Sequence, residues 1–565
     1  MEKGRLYVLV IIAGSVVASF AFMLFLMQIV NGASYVEQAN DQYIRPASDT
    51  LRRGNIFFMR RDGELIAAAT IKRGYTVAIE PRALQDPEAA FRALGSFFDI
   101  DREDFFRRAA KRGDPYEEIA RRVPKETAER IRALGIPGII VARDGWRYYP
   151  GGKLAAQTLG FVGYKGDVRA GRYGVERYYE DVLSRSENTV RVNFFAELFS
   201  NITQTLLRGE NRNEGDVVLT VEPSVQTFLE KTLRGVVERY DAAGAGAIVM
   251  DPADGRIYAL AALPSFNPNE YAKEDPDTFS NPIVEDVYEF GSVFKPLTMA
   301  AGLDAGVVTA ETTYRDEGYV LIDGARISNY DGKARGVVSM QEVLNQSLNT
   351  GAVFVERRLG GKRFADYMRA YGIDEETGVD LPAEASPIAG NLDSPRDIEL
   401  ATVSFGQGVA VSPVAMIRSL AVLANGGKLV TPYVTDRIIY RLGGEKKHFP
   451  DEGVRVLKKE TSEEITRMLV RVVDEALAGG DVSLPRYSIA AKTGTAQMAG
   501  ANGGYDPDKF LHSFFGYFPA YKPRFIVFFY VVEPRGARYA SQTLTDPFMK
   551  TAKFLINYYE LPPDR

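Results

Sequence analysis

The stretch Glu289-Phe290-Gly291-Ser292-Val293-Phe294-Lys295-Pro296 decides how the rest of the chain is interpreted. Gly291 permits a tight turn, and the apolar residues that follow predict a buried helix. If that helix begins at Ser292, then Ser292 and Lys295 lie one turn apart on the same face. A desolvated lysine in that position can lose its proton and accept one from the serine hydroxyl. The stretch predicts a nucleophile beside its base, but a chance Ser-x-x-Lys on an ordinary helix would look the same.

Two further motifs favour the nucleophile. Ser347-Leu348-Asn349 and Lys492-Thr493-Gly494-Thr495 follow it along the chain in that order. Ser-x-x-Lys, a Ser-x-Asn type element and Lys-Thr-Gly together form the motif set of penicillin-binding proteins and serine β-lactamases. On these motifs the chain resembles a penicillin-binding protein. Further stretches in the N-terminal half resemble class B members of that family: Arg53-Gly54-Asn55-Ile56, Arg147-Tyr148-Tyr149-Pro150 and Gly171-Arg172-Tyr173-Gly174-Val175-Glu176.

The resemblance implies a role for each catalytic residue. Ser292 would be the nucleophile and Lys295 its base. Ser347 would relay a proton between the lysine and the leaving amine. Asn349 would hold the substrate amide and orient Lys295. The backbone N–H groups of Ser292 and Thr495 would form the oxyanion hole.

The Lys-Thr-Gly-Thr motif is expected to bind substrate. By resemblance, Lys492, Thr493 and Thr495 would bind the carboxylate of the donor peptide, with a lysine counter-charge and hydroxyl donors. Gly494, on a predicted strand, would let a ligand's backbone approach closely.

Two residues depart from the family pattern. Phe290 stands where the family usually has proline, and Leu348 is bulkier than the usual middle residue of Ser-x-Asn. Both raise a question about the shape of the donor pocket, but neither changes the expected chemistry.

The composition excludes several other chemistries. The chain has 565 residues, a net charge of −5 and no cysteine. A thiol nucleophile, disulfides and cysteine metal sites are therefore excluded, and nothing indicates a nucleic-acid surface. The two histidines, His448 and His512, lack metal-ligand spacing and support a Ser–His–Asp triad poorly. We expect neither a metal nor a cofactor.

The N-terminus predicts a membrane anchor. Residues 6–30 carry no charge, and as a helix they would span roughly 37 Å, against about 30 Å of bilayer hydrocarbon. Lys3 and Arg5 precede this segment, so residues 1–5 are expected in the cytoplasm and the remainder outside the cell membrane. A cleaved signal peptide is the alternative, although its apolar core is normally shorter.

The expected fold is α+β. Residues 31–214 would form a non-catalytic pedestal domain of the dimerisation type, and residues 215–565 the transpeptidase domain, an antiparallel sheet flanked by helices. Asp62-Gly63 predicts a hairpin, and residues 101–134 a pair of helices broken near Gly113 and Pro124. In the transpeptidase domain we predict a helix from Pro223, a helix capped by Ser339, a central strand at 525–532, and a last helix at 548–559 that begins after Asp546-Pro547.

The resemblance implies a peptidoglycan D,D-transpeptidase that cross-links stem peptides through a serine acyl-enzyme and is acylated by β-lactams. The C-terminal stretch 512–519 favours the division-specific branch over the elongation branch. A β-lactamase or D,D-carboxypeptidase on the same fold, a β-lactam sensor and an inactive scaffold are the alternatives. No histidine precedes His448, so the family's glycosyltransferase signature is missing. A separate polytopic glycan polymerase is therefore the expected partner.

Overall fold

A computed structural model describes residues 52–166, 168–185, 213–500 and 503–565. The predicted cytoplasmic tail and the membrane helix at 6–30 lie outside the described residues. Within the described ranges, no helix is long and apolar enough to cross a membrane.

The described chain divides into two compact units. Lys72–Trp146 forms the small unit, while Arg52–Ile71 and Arg147–Arg565 belong to the large unit. Parts of the predicted pedestal, on either side of the small unit in sequence, thus cluster with the catalytic residues. The domain boundary near Gly215 stays a prediction.

The small unit combines helices with an antiparallel strand pair. The two helices expected within 101–134 are present, but the strand between them was not predicted; it pairs with the second half of the long strand Leu65–Ile79, Tyr75 opposite Val123. The elements of this unit are helices Pro87–Gly95, Arg102–Ala109 and Lys125–Ala133 and strands Glu117–Val123 and Ile139–Tyr148, the last of which runs past the end of the unit.

The large unit is built on a five-stranded antiparallel sheet. Its strand order is Ala490–Ala499, Tyr505–Phe518, Phe525–Val532, Gly244–Met250 and Ile257–Leu263. Phe525–Val532 is central, as predicted. Its side chains alternate between two cores: Val527 and Phe529 pack with the helices Pro223–Tyr240 and Ala540–Tyr558 on one face. Ile526 and Phe528 pack on the other face with the apolar residues that follow Ser292.

A helical subdomain covers the second face of this sheet, and together they confirm the predicted α+β class. Its helices are Pro282–Glu285, Lys295–Asp304, Met340–Asn345, Asn349–Leu359, Gly361–Ala370, Asp397–Val403, Pro413–Ala424 and Lys459–Arg471. The remaining strands of the large unit are Ile56–Met59, Val162–Lys165, Val168–Gly171, Gly215–Leu219, Thr313–Asp316, Tyr319–Ile322, Ala325–Ser328, Gly336–Ser339, Lys428–Leu429, Thr435–Tyr440, Glu445–Lys447 and Val454–Arg455. The large unit also contains three short helices, Ala156–Leu159, Gly174–Tyr178 and Glu180–Leu183.

Short sequence patterns correctly predicted one hairpin turn and the starts of two helices. Gly63, at φ +85°, turns the predicted hairpin between Ile56–Met59 and the start of Leu65–Ile79. Pro223 opens its helix, and the Ser339 hydroxyl accepts from Glu342 N at the start of the next capped helix.

The start of the last helix was predicted wrongly. The helix runs over Ala540–Tyr558, with Pro547 inside it, and at its start the Gln542 side chain accepts from Tyr539 N at 3.1 Å. Proline in a helix interior removes one hydrogen bond, which normally ends the helix. Here Leu544 and Phe548, on either side of the proline, are completely buried in the sheet core. Tertiary packing therefore outweighs the local signal.

A buried ionic cluster joins distant segments of the large unit. Glu176 is completely buried; its carboxylate accepts from Arg53 Nε at 2.6 Å and from Arg147 Nε at 2.5 Å, and Tyr149 donates to it at 3.1 Å. Burial alone would raise the pKa of Glu176, but the adjacent guanidiniums outweigh it and hold the pKa below its usual value. A stabilising contribution from this carboxylate is present at neutral pH and is lost as the pH falls through that lowered pKa.

We predict that Glu176→Ala destabilises the protein by about 3–5 kcal/mol, because it leaves the buried Arg147 guanidinium without its counter-charge and Arg53 with only Glu180. Asp366→Ala is the control, since it breaks only surface pairs, with Lys362 and Arg369, each worth about 0.5 kcal/mol or less. Urea unfolding followed by circular dichroism measures both. Equal midpoints for the two variants would contradict the importance of the cluster.

Candidate active site

Ser292 lies in a single 3₁₀ turn, Gly291–Phe294, which continues directly into the α-helix Lys295–Asp304. We call this segment the nucleophile turn. The sequence predicted an α-helix from Ser292, and the tighter turn differs from it. In a 3₁₀ turn, side chains three residues apart eclipse each other, so Ser292 and Lys295 still share one face. Ser292 is half-buried and lines a cleft of about 680 Å³, the catalytic cleft.

The nucleophile turn is held by close backbone contacts. Gly291 has φ +62°, and a Cβ there would come within 2.8 Å of the Thr495 carbonyl oxygen. Gly291 N donates to Gly406 O at 3.1 Å, and Ser513 Oγ donates to Phe290 O at 2.8 Å. A side chain at 291 would therefore push the nucleophile away from the strand that carries the Lys-Thr-Gly motif.

Lys295 is 1% exposed. Its Nζ donates to Ser347 O at 2.5 Å and lies 3.2 Å from Ser347 Oγ. Burial, reinforced by the charge of Lys492, lowers the pKa of Lys295 well below its usual value. Burial therefore favours the neutral amine of Lys295, which can accept a proton.

Ser347 connects the two lysines of the cleft. It sits between helices Met340–Asn345 and Asn349–Leu359, in the left-handed region at φ +56°. For a non-glycine residue this conformation costs about 1–2 kcal/mol. Its Oγ lies 3.0 Å from Lys492 Nζ as well as 3.2 Å from Lys295 Nζ. The strained turn thus places one hydroxyl between two amines.

Lys492 is 3% exposed and donates to Thr493 O at 2.9 Å. Burial lowers the pKa of Lys492 to about 7. No aspartate or glutamate of the described residues lines the catalytic cleft. In this structure Lys492 therefore contacts the Ser347 hydroxyl and no carboxylate of the described cleft lining, and its positive charge helps to lower the pKa of Lys295. A bound carboxylate would favour its protonated form.

The other predicted site residues occupy the same cleft. Asn349 lines it, and its Nδ2 donates to Ser328 O at 2.9 Å. The Thr495 hydroxyl accepts from Ala540 N at 3.1 Å, so its own proton is available to a ligand. Thr493 lines the cleft and is half-buried.

Gly494 has a packing role that the sequence did not predict. A Cβ at this position would meet Ser513 Oγ at 2.3 Å and Phe290 O at 2.5 Å. The glycine therefore permits close packing of the strand on the nucleophile turn, in addition to anything it offers a ligand.

Sequence reasoning missed several residues of the cleft wall. Their chemistry is ordinary and their positions depend on long-range contacts, so no local pattern marks them. They are Tyr330, Phe405, Gln407, Val472, Leu477, Gln497, Phe510, Arg538 and Tyr539.

Comparisons with known proteins agree with this geometry. The family described as "Penicillin binding protein transpeptidase domain" matches residues 245–552, more than half of the chain. The family "Penicillin-binding Protein dimerisation domain" matches residues 48–218. This chain belongs to the class B penicillin-binding proteins.

Curated relatives of this penicillin-binding protein have related names. Stage V sporulation protein D of Bacillus subtilis is 31% identical over 530 residues, covering 93% of this chain and 80% of the relative. Peptidoglycan D,D-transpeptidase FtsI of Escherichia coli K12 is 27% identical, covering 76% of this chain and 70% of the relative.

Solved structures share its fold. Penicillin binding protein 3 from Mycobacterium tuberculosis, complexed with aztreonam, matches with a TM-score of 0.70 at 21% identity, covering 91% of this chain and 98% of that one. Penicillin Binding Protein 2X from Streptococcus thermophilus matches with a TM-score of 0.71 at 19% identity, covering 89% and 79%.

The two residues that depart from the family pattern lie outside the lining of the cleft. Phe290 and Leu348 are both fully buried, and neither side chain lines the catalytic cleft. Phe290 packs edge-on against Phe528 of the central strand, with ring centroids 5.0 Å apart. In this penicillin-binding protein the aromatic ring therefore anchors the nucleophile turn to the sheet.

Glu289 joins the nucleophile turn to two other segments beside the cleft. Its carboxylate accepts from Gly408 N at 2.9 Å and from Tyr505 Oη at 2.9 Å. Gly408 follows the cleft residue Gln407, and Tyr505 begins the strand that carries Phe510. Burial raises the pKa of Glu289. This carboxylate holds two neighbouring segments against the nucleophile turn.

We predict that Tyr505→Phe slows acylation by benzylpenicillin about tenfold, because a hydrogen bond to a carboxylate is lost while the ring is kept. Stopped-flow kinetics measures the second-order acylation constant. Tyr367→Phe is the matched control, since it removes a similar bond to Asp304, 2.8 Å long and outside the cleft. Equal rates for Tyr505→Phe and the wild type would refute a positioning role for Glu289.

Proposed function

We propose that this chain is a peptidoglycan D,D-transpeptidase that cross-links stem peptides through an acyl-enzyme at Ser292. The observation that carries the proposal is the buried pair Lys295 and Lys492 around Ser347 Oγ. Family membership supports the same reaction, since its curated relatives include proteins named peptidoglycan D,D-transpeptidase.

Acylation follows from the protonation states. Neutral Lys295 takes the proton of Ser292 as its oxygen attacks the carbonyl of the penultimate residue of the donor. The backbone N–H groups of Ser292 and Thr495 stabilise the oxyanion, a contribution of about 3–4 kcal/mol for each donor. The proton then passes through Ser347 to the leaving amine. Thr493 and Thr495 hold the terminal carboxylate, and the Lys492 charge favours its binding.

The second half-reaction needs an amine. The acyl-enzyme carbonyl is attacked by an amine of a neighbouring stem peptide, and its proton returns through Ser347 and Lys295. A hydrolase would use a carboxylate base to activate water for attack on the acyl-enzyme. None of the described residues that line the cleft is acidic. This favours a transpeptidase over a β-lactamase or D,D-carboxypeptidase.

We further propose that the reaction takes place outside the cell membrane, with residues 6–30 as a single-pass anchor. We also propose a role in septal wall synthesis. The relatives named FtsI support the division branch. The relative named for stage V of sporulation supports a second candidate role for this chain, in sporulation, which the sequence motifs do not indicate.

We predict one penicillin adduct per chain on the peptide that carries Ser292, found by intact-mass and peptide analysis. Ser292→Ala should carry none, because the nucleophile is absent. The wild-type adduct should persist while a chromogenic β-lactam shows no continued turnover. An adduct on Ser292→Ala would contradict the assignment of the nucleophile, and rapid turnover would favour a β-lactamase.

We further propose that a separate polytopic polymerase supplies the glycan strands. Gly14 and Ala18 lie on the predicted anchor helix, and small residues there would permit close helix packing. Replacing both with leucine should weaken co-purification with that polymerase while penicillin acylation is retained. Polymerisation of lipid-linked precursor by the purified protein alone would contradict the proposal.

A further inference from the structure

A second cleft adjoins the catalytic cleft. Its volume is about 870 Å³, and it shares Pro507, Phe510 and Arg538 with the catalytic cleft. Both clefts belong to the large unit. We call these shared residues, which line both clefts, the junction.

The junction lies on the donor side of the reacting centre. Along the strand Ala490–Ala499, Thr495 is paired opposite His512 and Gln497 opposite Phe510. Two strand residues rise about 7 Å, so the junction begins roughly one or two peptide residues beyond Thr495. If the terminal carboxylate of the donor lies at Thr493 and Thr495, the preceding part of the peptide reaches the junction.

Arg538 is the distinctive group at this junction. Its side chain is exposed, and among the described residues no aspartate or glutamate forms an ion pair with it. The other basic residues of the second cleft are paired: Lys509 with Glu533 at 2.8 Å and Arg535 with Asp241 at 2.7 Å. Asp508, the other acidic residue of this wall, forms no ion pair with Arg538.

The backbone of Arg538 is fixed, although its guanidinium forms no ion pair within the described part of the chain. Arg538 N donates to Gln542 Oε1 at 2.9 Å, and Arg538 O lies 3.3 Å from His512 Nε2. His512 is completely buried, and burial lowers its pKa to about 4, so it is neutral at physiological pH. The guanidinium carbon lies 5.7 Å from the ring of Tyr539, which also lines the catalytic cleft.

We propose that Arg538 binds a free carboxylate on the part of the donor that precedes the acylating residue. This inference rests on the proposed transpeptidase function and names a specificity determinant of the same site. A guanidinium presents several N–H donors to a carboxylate in a fixed geometry, and no carboxylate of the described residues forms an ion pair with this one. The fixed backbone reduces the ordering that binding would require.

Two penicillins that differ in one carboxylate test the inference. Benzylpenicillin and carboxybenzylpenicillin share the ring carboxylate, and only the second carries a carboxylate on its acylamino side chain. The measured quantity is the ratio of their second-order acylation constants, carboxybenzyl over benzyl, for the full chain. We expect Arg538→Gln to lower this ratio about fivefold, the worth of a partly exposed ion pair. Arg538→Lys should retain most of the ratio, because it keeps the charge.

Arg535→Gln is the matched control. It removes a cation three residues away in the same loop, but one that is already paired with Asp241. We expect its ratio to stay within about twofold of the wild type. An Arg538→Gln ratio equal to that of the wild type, or an equal fall in both variants, would overturn the inference. If neither penicillin acylates the wild type, the proposed function fails instead, so the two failures are distinguishable.

Discussion

The active site depends on the burial of two lysines around one serine hydroxyl. Lys295 and Lys492 are almost inaccessible to water, and both lie within hydrogen-bond reach of Ser347 Oγ. Removing an ammonium group from water is costly, and a second positive charge nearby adds to the cost. The fold itself therefore favours the neutral amine of Lys295 before substrate binds.

Three elements that are distant in sequence produce this arrangement. The nucleophile turn brings Lys295, a left-handed residue between two helices brings Ser347, and an edge strand of the sheet brings Lys492. Their spacing is set by contacts that leave no room for a side chain at Gly291 or Gly494. The energy stored in the strained Ser347 backbone is offset by the packing of the two helices that flank it.

Much of this could be predicted from the sequence, because the chemistry is carried by residue types in short motifs. The Ser-x-x-Lys, Ser-x-Asn and Lys-Thr-Gly stretches identified every residue around Ser347, and the run 525–532 identified the central strand. Long-range effects could not be predicted. Pro547 stays inside a helix because Leu544 and Phe548 are buried. Glu289 adjoins the nucleophile motif, but its partners Gly408 and Tyr505 are distant in sequence. The importance of Arg538 comes from the lack of an ion-pair partner among the described residues, which no short motif records.

The central claim is that Lys295 is uncharged in the resting enzyme. Its most direct test is an NMR titration of lysine ε-carbons in protein labelled with ¹³C-lysine, in which the Lys295 signal is identified by its loss in Lys295→Arg. The account predicts that this signal has the chemical shift of a neutral amine at about pH 7, while exposed lysines remain ammonium groups up to about pH 10. A Lys295 signal that titrates together with the exposed lysines would contradict it.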